Sequence, residues 1–339
     1  MKAKSMRIKW VDYVKVIACM LVVLDHFFQS MTKANIMPVN NLYMWFNTTI
    51  YYFHVPLFFI CSGFLYQKYS KVVDLGEWKQ NIIKKAIALG IPYFVFSTLT
   101  WILKTVFSGL VNEQSEGLFN TWFLHPSSPY WYLYCLFFIF VVTPTFTDKK
   151  QAKIGMLIAL TAKITVMIFS INIYVVATVL TNEIWFVMGM CISTFNVELR
   201  RKSLSGTLIG SVFIILSIVI YKYNINNLAI GFVLGIMACI AVILLIASND
   251  KNFEQNKIIN GFAKYTMPIF LMHTLFAAPT RVILIKVGLN NVLIQVIVGI
   301  LISFLGPVIA AIIMKKIKWL EILIYPGKFI KTNYGGESK

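Results

Sequence analysis

Lys15 and His26 stand eleven positions apart in an otherwise apolar stretch that runs from Val11 to Phe27 (VDYVKVIACMLVVLDHF). On an α-helix, at about 100° per residue, that spacing leaves them roughly 20° apart around the axis and about 16 Å apart along it. Ionisable groups in hydrocarbon are costly, so their default position is against a cavity or a partner. A cation near one end of the helix suits a charged donor. An imidazole deeper in, with a pKa near working pH, suits proton transfer from a reacting hydroxyl. The two side chains are therefore expected to line one hydrophilic passage through the protein.

Three further histidines have unequal standing. His54 and His273 fall inside apolar stretches, and the alternation of span direction puts both at a depth similar to that of His26. Each also has an ordinary structural explanation. His26 could be interfacial beside Asp25, His54 could bond a carbonyl freed by Pro56, and His273 could be a polar packing contact. His125 falls in a connection and is expected to be solvated. No two histidines lie at i, i+4 and carboxylates are scarce, so no metal site is expected. Asp12 and Lys15, at i, i+3, can pair or snorkel to the surface. Lys84 and Lys85 are candidates for phosphate contacts or simple membrane anchors. Lys163 and Glu183, on adjacent spans, are expected to form a buried pair. Trp122, Tyr130, Trp131 and Tyr132 fit an aromatic belt at the outer interface, with carbohydrate stacking as a second use.

The elements that must position these residues follow from composition. Of 339 residues, 58% are hydrophobic and only 13% charged, which no soluble domain of this size matches. The runs are too long and continuous for a β-barrel. The chain reads as all-α and polytopic, with about ten spans near 11–29, 44–66, 82–103, 130–147, 154–171, 173–195, 204–221, 226–248, 262–283 and 289–314. Of the 31 Lys and Arg residues, 24 fall on one side of that arrangement, and only Lys33, Lys104, Lys222 and Lys286 on the other. By the positive-inside rule both termini are expected to be cytoplasmic, and the net charge of +18 is a topology signal that argues against nucleic acid. Lys15, Lys163 and Arg281 remain inside spans.

Cys19, Cys61, Cys135, Cys191 and Cys239 lie far apart in apolar runs, as small core residues would. The first apolar run lacks a small-residue cleavage signature and is expected to be retained as a helix. The longest polar connection, about 105–129, carries Glu113 and Glu116. One membrane-embedded domain over 1–339, with short tails at roughly 1–9 and 315–339, is the economical organisation.

Taken together, the motifs resemble the acyltransferase-3 family of bacterial membrane proteins. Asp12, Lys15 and His26 are similar to its first-helix pattern of an acid, a basic residue (often Arg) and a histidine. His54, Pro56, Leu57, Phe58, Phe59, Ser62, Gly63 and Phe64 resemble its H-x-P-L-F-F-x-x-S-G-F segment. Lys84 and Lys85 ahead of Pro92-Tyr93, the Trp131-Tyr132-Leu133 triplet and the Ile269 to His273 segment resemble later motifs, in order. The form of the motifs is most similar to the fucose and polysaccharide O-acetylase branch. The resemblance implies transfer of an acetyl or other short acyl group from cytosolic acyl-CoA to a hydroxyl of a surface polysaccharide or glycolipid, in the bacterial cytoplasmic membrane. It implies catalytic roles for His26 and Lys15, with Asp12, His54 and His273 as further candidates. Lys84, Lys85, Ser62, Trp131 and Tyr132 are the candidates for substrate contacts. Acyl-CoA enters as co-substrate, acetyl-CoA first among the options, with no bound cofactor. Lys in place of Arg supplies a point charge where a guanidinium would supply a fork. Whether the acyl group passes directly or through an acyl-histidine stays open. The rival reading is an exporter of a glycan or lipid-linked sugar, which intramembrane charges and proline kinks also suit; a sensory or anchoring module fits poorly.

Overall fold

The computed structural model describes residues 8–110 and 116–329, and every regular element among them is helical. In chain order these are α1 (Lys9–Lys33), α2 (Asn41–Tyr51), α3 (His54–Tyr69), α4 (Leu75–Lys85), α5 (Ile91–Val106), α6 (Trp131–Val142), α7 (Lys149–Ile168), α8 (Tyr174–Thr194), α9 (Ser203–Lys222), α10 (Leu228–Ser248), α11 (Asp250–Gln255), α12 (Lys257–Lys286), α13 (Val292–Met314) and α14 (Lys318–Ile324). Lys2, Lys4, Arg7, Glu113, Lys331 and Lys339 lie outside the described residues.

Among the described residues, eight segments are long and apolar enough to cross a membrane, with α2–α3 (Asn41–Tyr69) and α4–α5 (Leu75–Val106) each counted as one. The protein is therefore an all-α, multi-pass membrane protein. The ten spans expected from sequence exceed this number by two. At 12 residues, α6 is about 18 Å long, short of the hydrocarbon thickness of about 30 Å. At 25 residues α1 is long enough, but it carries Asp12, Lys15 and Asp25.

Two expected spans are interrupted, and proline explains both. Pro56, in the first turn of α3, has no N–H for the carbonyl of Tyr52, and its ring crowds that carbonyl, so the helix breaks at Tyr52–Phe53. Pro92 has the same effect on the turn before it, and the chain between α4 and α5 takes a π turn over Ala86–Gly90. Elsewhere short polar side chains start the helices. Asn40, Asp74, Asp148, Asn227, Asn256 and Asn291 each accept from backbone N–H groups of the first turn. The N–H groups of Gln151 and Lys150 hold the Asp148 carboxyl below its ordinary pKa.

Packing places α3 along α8 and α1 between α3 and α12. The α3–α8 crossing rests on two glycines. A methyl group at Gly63 would collide with the backbone carbonyl of Phe186, and one at Gly189 with the carbonyl of Ile60. Each helix thus seats a glycine against the other's backbone, the small-residue packing that membrane helices use where no hydrophobic effect drives them together. Along the α1–α12 seam, Tyr13 Oη donates to Asn260 Oδ1 (3.1 Å) and Cys19 Sγ to the Thr266 carbonyl (3.6 Å), while Lys9 at the start of α1 pairs with Glu254 of α11. Arg281, one of the in-span cations, is buried on this seam and donates to the Ser30 carbonyl (2.8 Å) and the Ser30 hydroxyl near the C-terminal end of α1. A cation there meets the negative end of the helix dipole, so its role is structural.

Two stability tests follow. Gly63→Ala should lower stability by about 1–3 kcal/mol, because the helices must part to admit the methyl group. Gly261→Ala, where nothing lies within 4 Å, should be neutral or gain up to about 1 kcal/mol in helix propensity. Thermal melts of the purified variants in one detergent give the order, and equal melting would discount the crossing. Arg281→Met should cost about 1.5–3 kcal/mol for its lost charged hydrogen bonds; an unchanged melt would remove the strap.

Candidate active site

The bundle contains a cavity of about 420 Å³. Its rim includes Ser128 and Pro129 from the α5–α6 connection and Ile225 to Asn227 from the α9–α10 connection, so it lies toward the basic-poor end. His26 on α1 and His54 on α3 line it, with Asp25, Tyr51, Trp131, Tyr132, Lys163, Asn182 and Phe270 among its other walls.

Three histidines from three helices meet here. The rings of His26 and His273 lie 5.4 Å apart between centroids, tilted by 31°. His273 is buried, and its Nδ1 faces the carbonyls of Ile269 and Phe270, both at 3.0 Å. Those acceptors require the proton on Nδ1, which leaves Nε2 as a lone pair, and Nε2 is buried without a hydrogen-bond partner. The Nδ1 of His54 faces the Ile50 carbonyl at 2.6 Å, one turn back across the proline break, and so carries a proton there. Its ring meets Tyr51 edge-on, 5.1 Å between centroids. Tyr51 Oη accepts from Gln29 Nε2 (2.8 Å), which also donates to Asp25 Oδ1 (2.9 Å), so α1 and α2 are tied beside the cavity. His26 itself meets a hydroxyl: its Nε2 lies 3.2 Å from Ser128 Oγ, in the turn that contains the cis Ser128–Pro129 bond.

Lys15 is not among the residues that line this cavity. Between it and His26, on the same face of α1, Cys19 and Val22 are 3% and 2% exposed and fill the seam. The single passage expected from their alignment is closed here by packing that helix geometry alone does not reveal. Lys15 belongs to a cluster at the basic end instead, within electrostatic reach of Lys85 and, with Asp12, of Cys61. The Lys85 ammonium stands 3.9 Å from the Phe140 ring centroid, and Lys84 acts on Lys85 through its charge. Ser62 Oγ is 3.0 Å from Tyr132 Oη, which joins α3 to α6 outside the cavity lining. Trp131 and Tyr132 do line the cavity.

Two expectations are corrected. Lys163 and Glu183 do not pair. Lys163 lies near the end of α7, on the cavity, with its ammonium 5.6 Å from the Phe232 ring centroid. Glu183 lies further along α8 and accepts from Thr143 Oγ1 (3.0 Å) at the far end of α6. Nor do Tyr130 and Tyr132 form an interfacial belt, since both are buried. Tyr130 Oη donates to the Leu271 carbonyl (3.0 Å) and meets Thr100 Oγ1 (2.9 Å), which holds α6 to α12 and α5. His125 is exposed, 3.4 Å from Glu116. Lys163, Asp25, Tyr51, Asn182 and Ser128 were not marked as site residues from sequence. For Asp25 and Lys163 the signal existed, an ionisable group in an apolar run, while Asn182 and Ser128 carry none.

A hydroxyl partner, a proton-accepting ring and a cluster of cations toward the opposite end of the bundle form a constellation suited to group transfer. Comparison with curated proteins and with solved structures returned no match. Residues 8–312 match the family model described as an acyltransferase domain, Acyl_transf_3. The chain is thus a membrane acyltransferase of the acyltransferase-3 family.

Proposed function

We propose that this acyltransferase moves an acetyl or other short acyl group from cytosolic acyl-CoA to a hydroxyl of a surface polysaccharide or glycolipid, in the cytoplasmic membrane of a bacterium. In this reading both termini are cytoplasmic and the cavity opens outward. The observation that carries it is the contact of His26 Nε2 with the Ser128 hydroxyl inside a cavity of about 420 Å³. That volume is within the range of roughly 300–1,000 Å³ typical of small-molecule sites. A glycan hydroxyl replaces that of Ser128. As its oxygen bonds to the thioester carbonyl carbon, His26 takes the proton; as the C–S bond breaks, the proton passes to the departing CoA sulfur.

His273, whose ring stands 5.4 Å from that of His26 and whose Nε2 is buried without a partner, stabilises the imidazolium formed in between. The anionic part of CoA docks at the basic end on Lys15, Lys84 and Lys85, with Asp12 beside them. Its thioester reaches His26 along the α1–α12 seam, which must part at Cys19 and Val22. Ser62 and Tyr132 hold α3 to α6 on the other side of α1 from this route, and Trp131 offers the acceptor an aromatic wall.

The test is transfer of label from acetyl-CoA to extracted surface glycan by the protein in vesicles. His26→Gln, at matched protein level and melting temperature, should slow transfer by about 10²–10⁴-fold, the range for loss of a general base. Retained activity would remove His26 from the chemistry. Glycan translocation without acylation would favour export instead.

A further inference from the structure

Lys163 is a cation on the wall of the cavity with no carboxylate to balance it. Among the described residues it forms no ion pair, and its ammonium stands 5.6 Å from the Phe232 ring centroid. The nearest acid along the adjoining helix, Glu183, follows Asn182 by one residue and so turns about 100° away from the cavity, toward Thr143. Among the described residues the only acid on the cavity wall is Asp25, whose Oδ1 is engaged by Gln29. A lysine on the lipid face at this depth would extend its ammonium to the interface. Lys163 faces inward, where a lone charge in a low-dielectric setting is costly unless a ligand supplies its counter-charge.

We infer that Lys163 forms an anion subsite and that the acceptor is an acidic glycan, whose carboxylate or phosphate pairs with Lys163 while a nearby hydroxyl reaches His26. Lys163 and His26 line one cavity, so a single saccharide unit or its neighbour can present both groups. Asn182 adds to the subsite. One of its amide hydrogens goes to the Thr178 carbonyl (2.8 Å), which leaves the other for the ligand. Phe232, backed edge-on by Trp185 (5.2 Å between centroids), gives the sugar ring an apolar surface beside the charge. A neutral acceptor would leave the ammonium unbalanced as it displaced water. The inference rests on the acyl-transfer reading and narrows its substrate class.

The experiment uses the full-length protein in phosphatidylcholine vesicles, with labelled acetyl-CoA and surface glycan from a strain that lacks the gene. The glycan is split by anion exchange into acidic and neutral fractions. Label should enter the acidic fraction, and removal of its charge, by carboxyl reduction or by cleavage of phosphodiesters, should abolish acceptance. Lys163→Gln should raise the KM for the acidic fraction at least about tenfold, as expected when a charge on a cavity wall loses its partner, with the KM for acetyl-CoA unchanged. Lys163→Arg should keep the acidic KM close to wild type. Label in the neutral fraction, or an unchanged acidic KM in Lys163→Gln, would overturn the inference. A rise in the KM for acetyl-CoA alone would assign the charge to the donor and overturn it too. Label in neither fraction would instead sink the transferase reading.

Discussion

Two missing methyl groups set how closely α3 and α8 touch, and the walls of the cavity follow from that distance. Gly63 and Gly189 let each backbone rest on the carbonyl of the other helix. From this crossing α3 runs back to His54 and Val55, and α8 to Trp185, Asn182 and Thr181, all of which line the cavity. In lipid, van der Waals contact does much of the work that water does for soluble proteins. A shift at this contact would therefore move both walls, although neither glycine touches the site. Gly63 belongs to the segment that suggested chemistry, yet its contribution is to packing.

Backbone contacts define the chemistry of two of the histidines. Their Nδ1–H groups bond carbonyls that also take part in the backbone's own hydrogen bonding: Ile50, which accepts from the Phe53 N–H as well, and Ile269 with Phe270 on α12. Each bond settles which nitrogen holds the proton, and so leaves Nε2 as the acceptor. The carbonyl that Pro56 frees is that of Tyr52, so the bond of His54 to Ile50 is not the expected repair. A ring anchored to the backbone on one side still presents a defined lone pair on the other.

Much of the scaffold was legible in the sequence because it depends on local rules. Apolar run length gave the helices, but not the breaks at Pro56 and Pro92 inside two expected spans, since Pro268, Pro279 and Pro307 sit within continuous helices. The alternation of direction predicted that His26, His54 and His273 share a depth, and their meeting follows from it. What failed depends on which way a side chain turns within a packed bundle. Lys163 and Glu183 are on adjacent helices, but they differ in depth and face. Tyr130 has the composition of an interface residue and is buried, because Thr100 and the Leu271 carbonyl give its hydroxyl partners. Lys15 and His26 share a face of α1, but α12 fills the space between them.

That filled stretch has an electrical consequence. In the proposed reading, Cys19 and Val22, both packed in the seam, stand between the cavity and the basic end and insulate the idle bundle. A bare charge gains about 2.3 kcal/mol in crossing 100 mV, and an aqueous channel along α1 would discharge the cell's proton gradient between turnovers. Two small apolar side chains then separate the cavity from a cationic mouth until the seam parts for the donor.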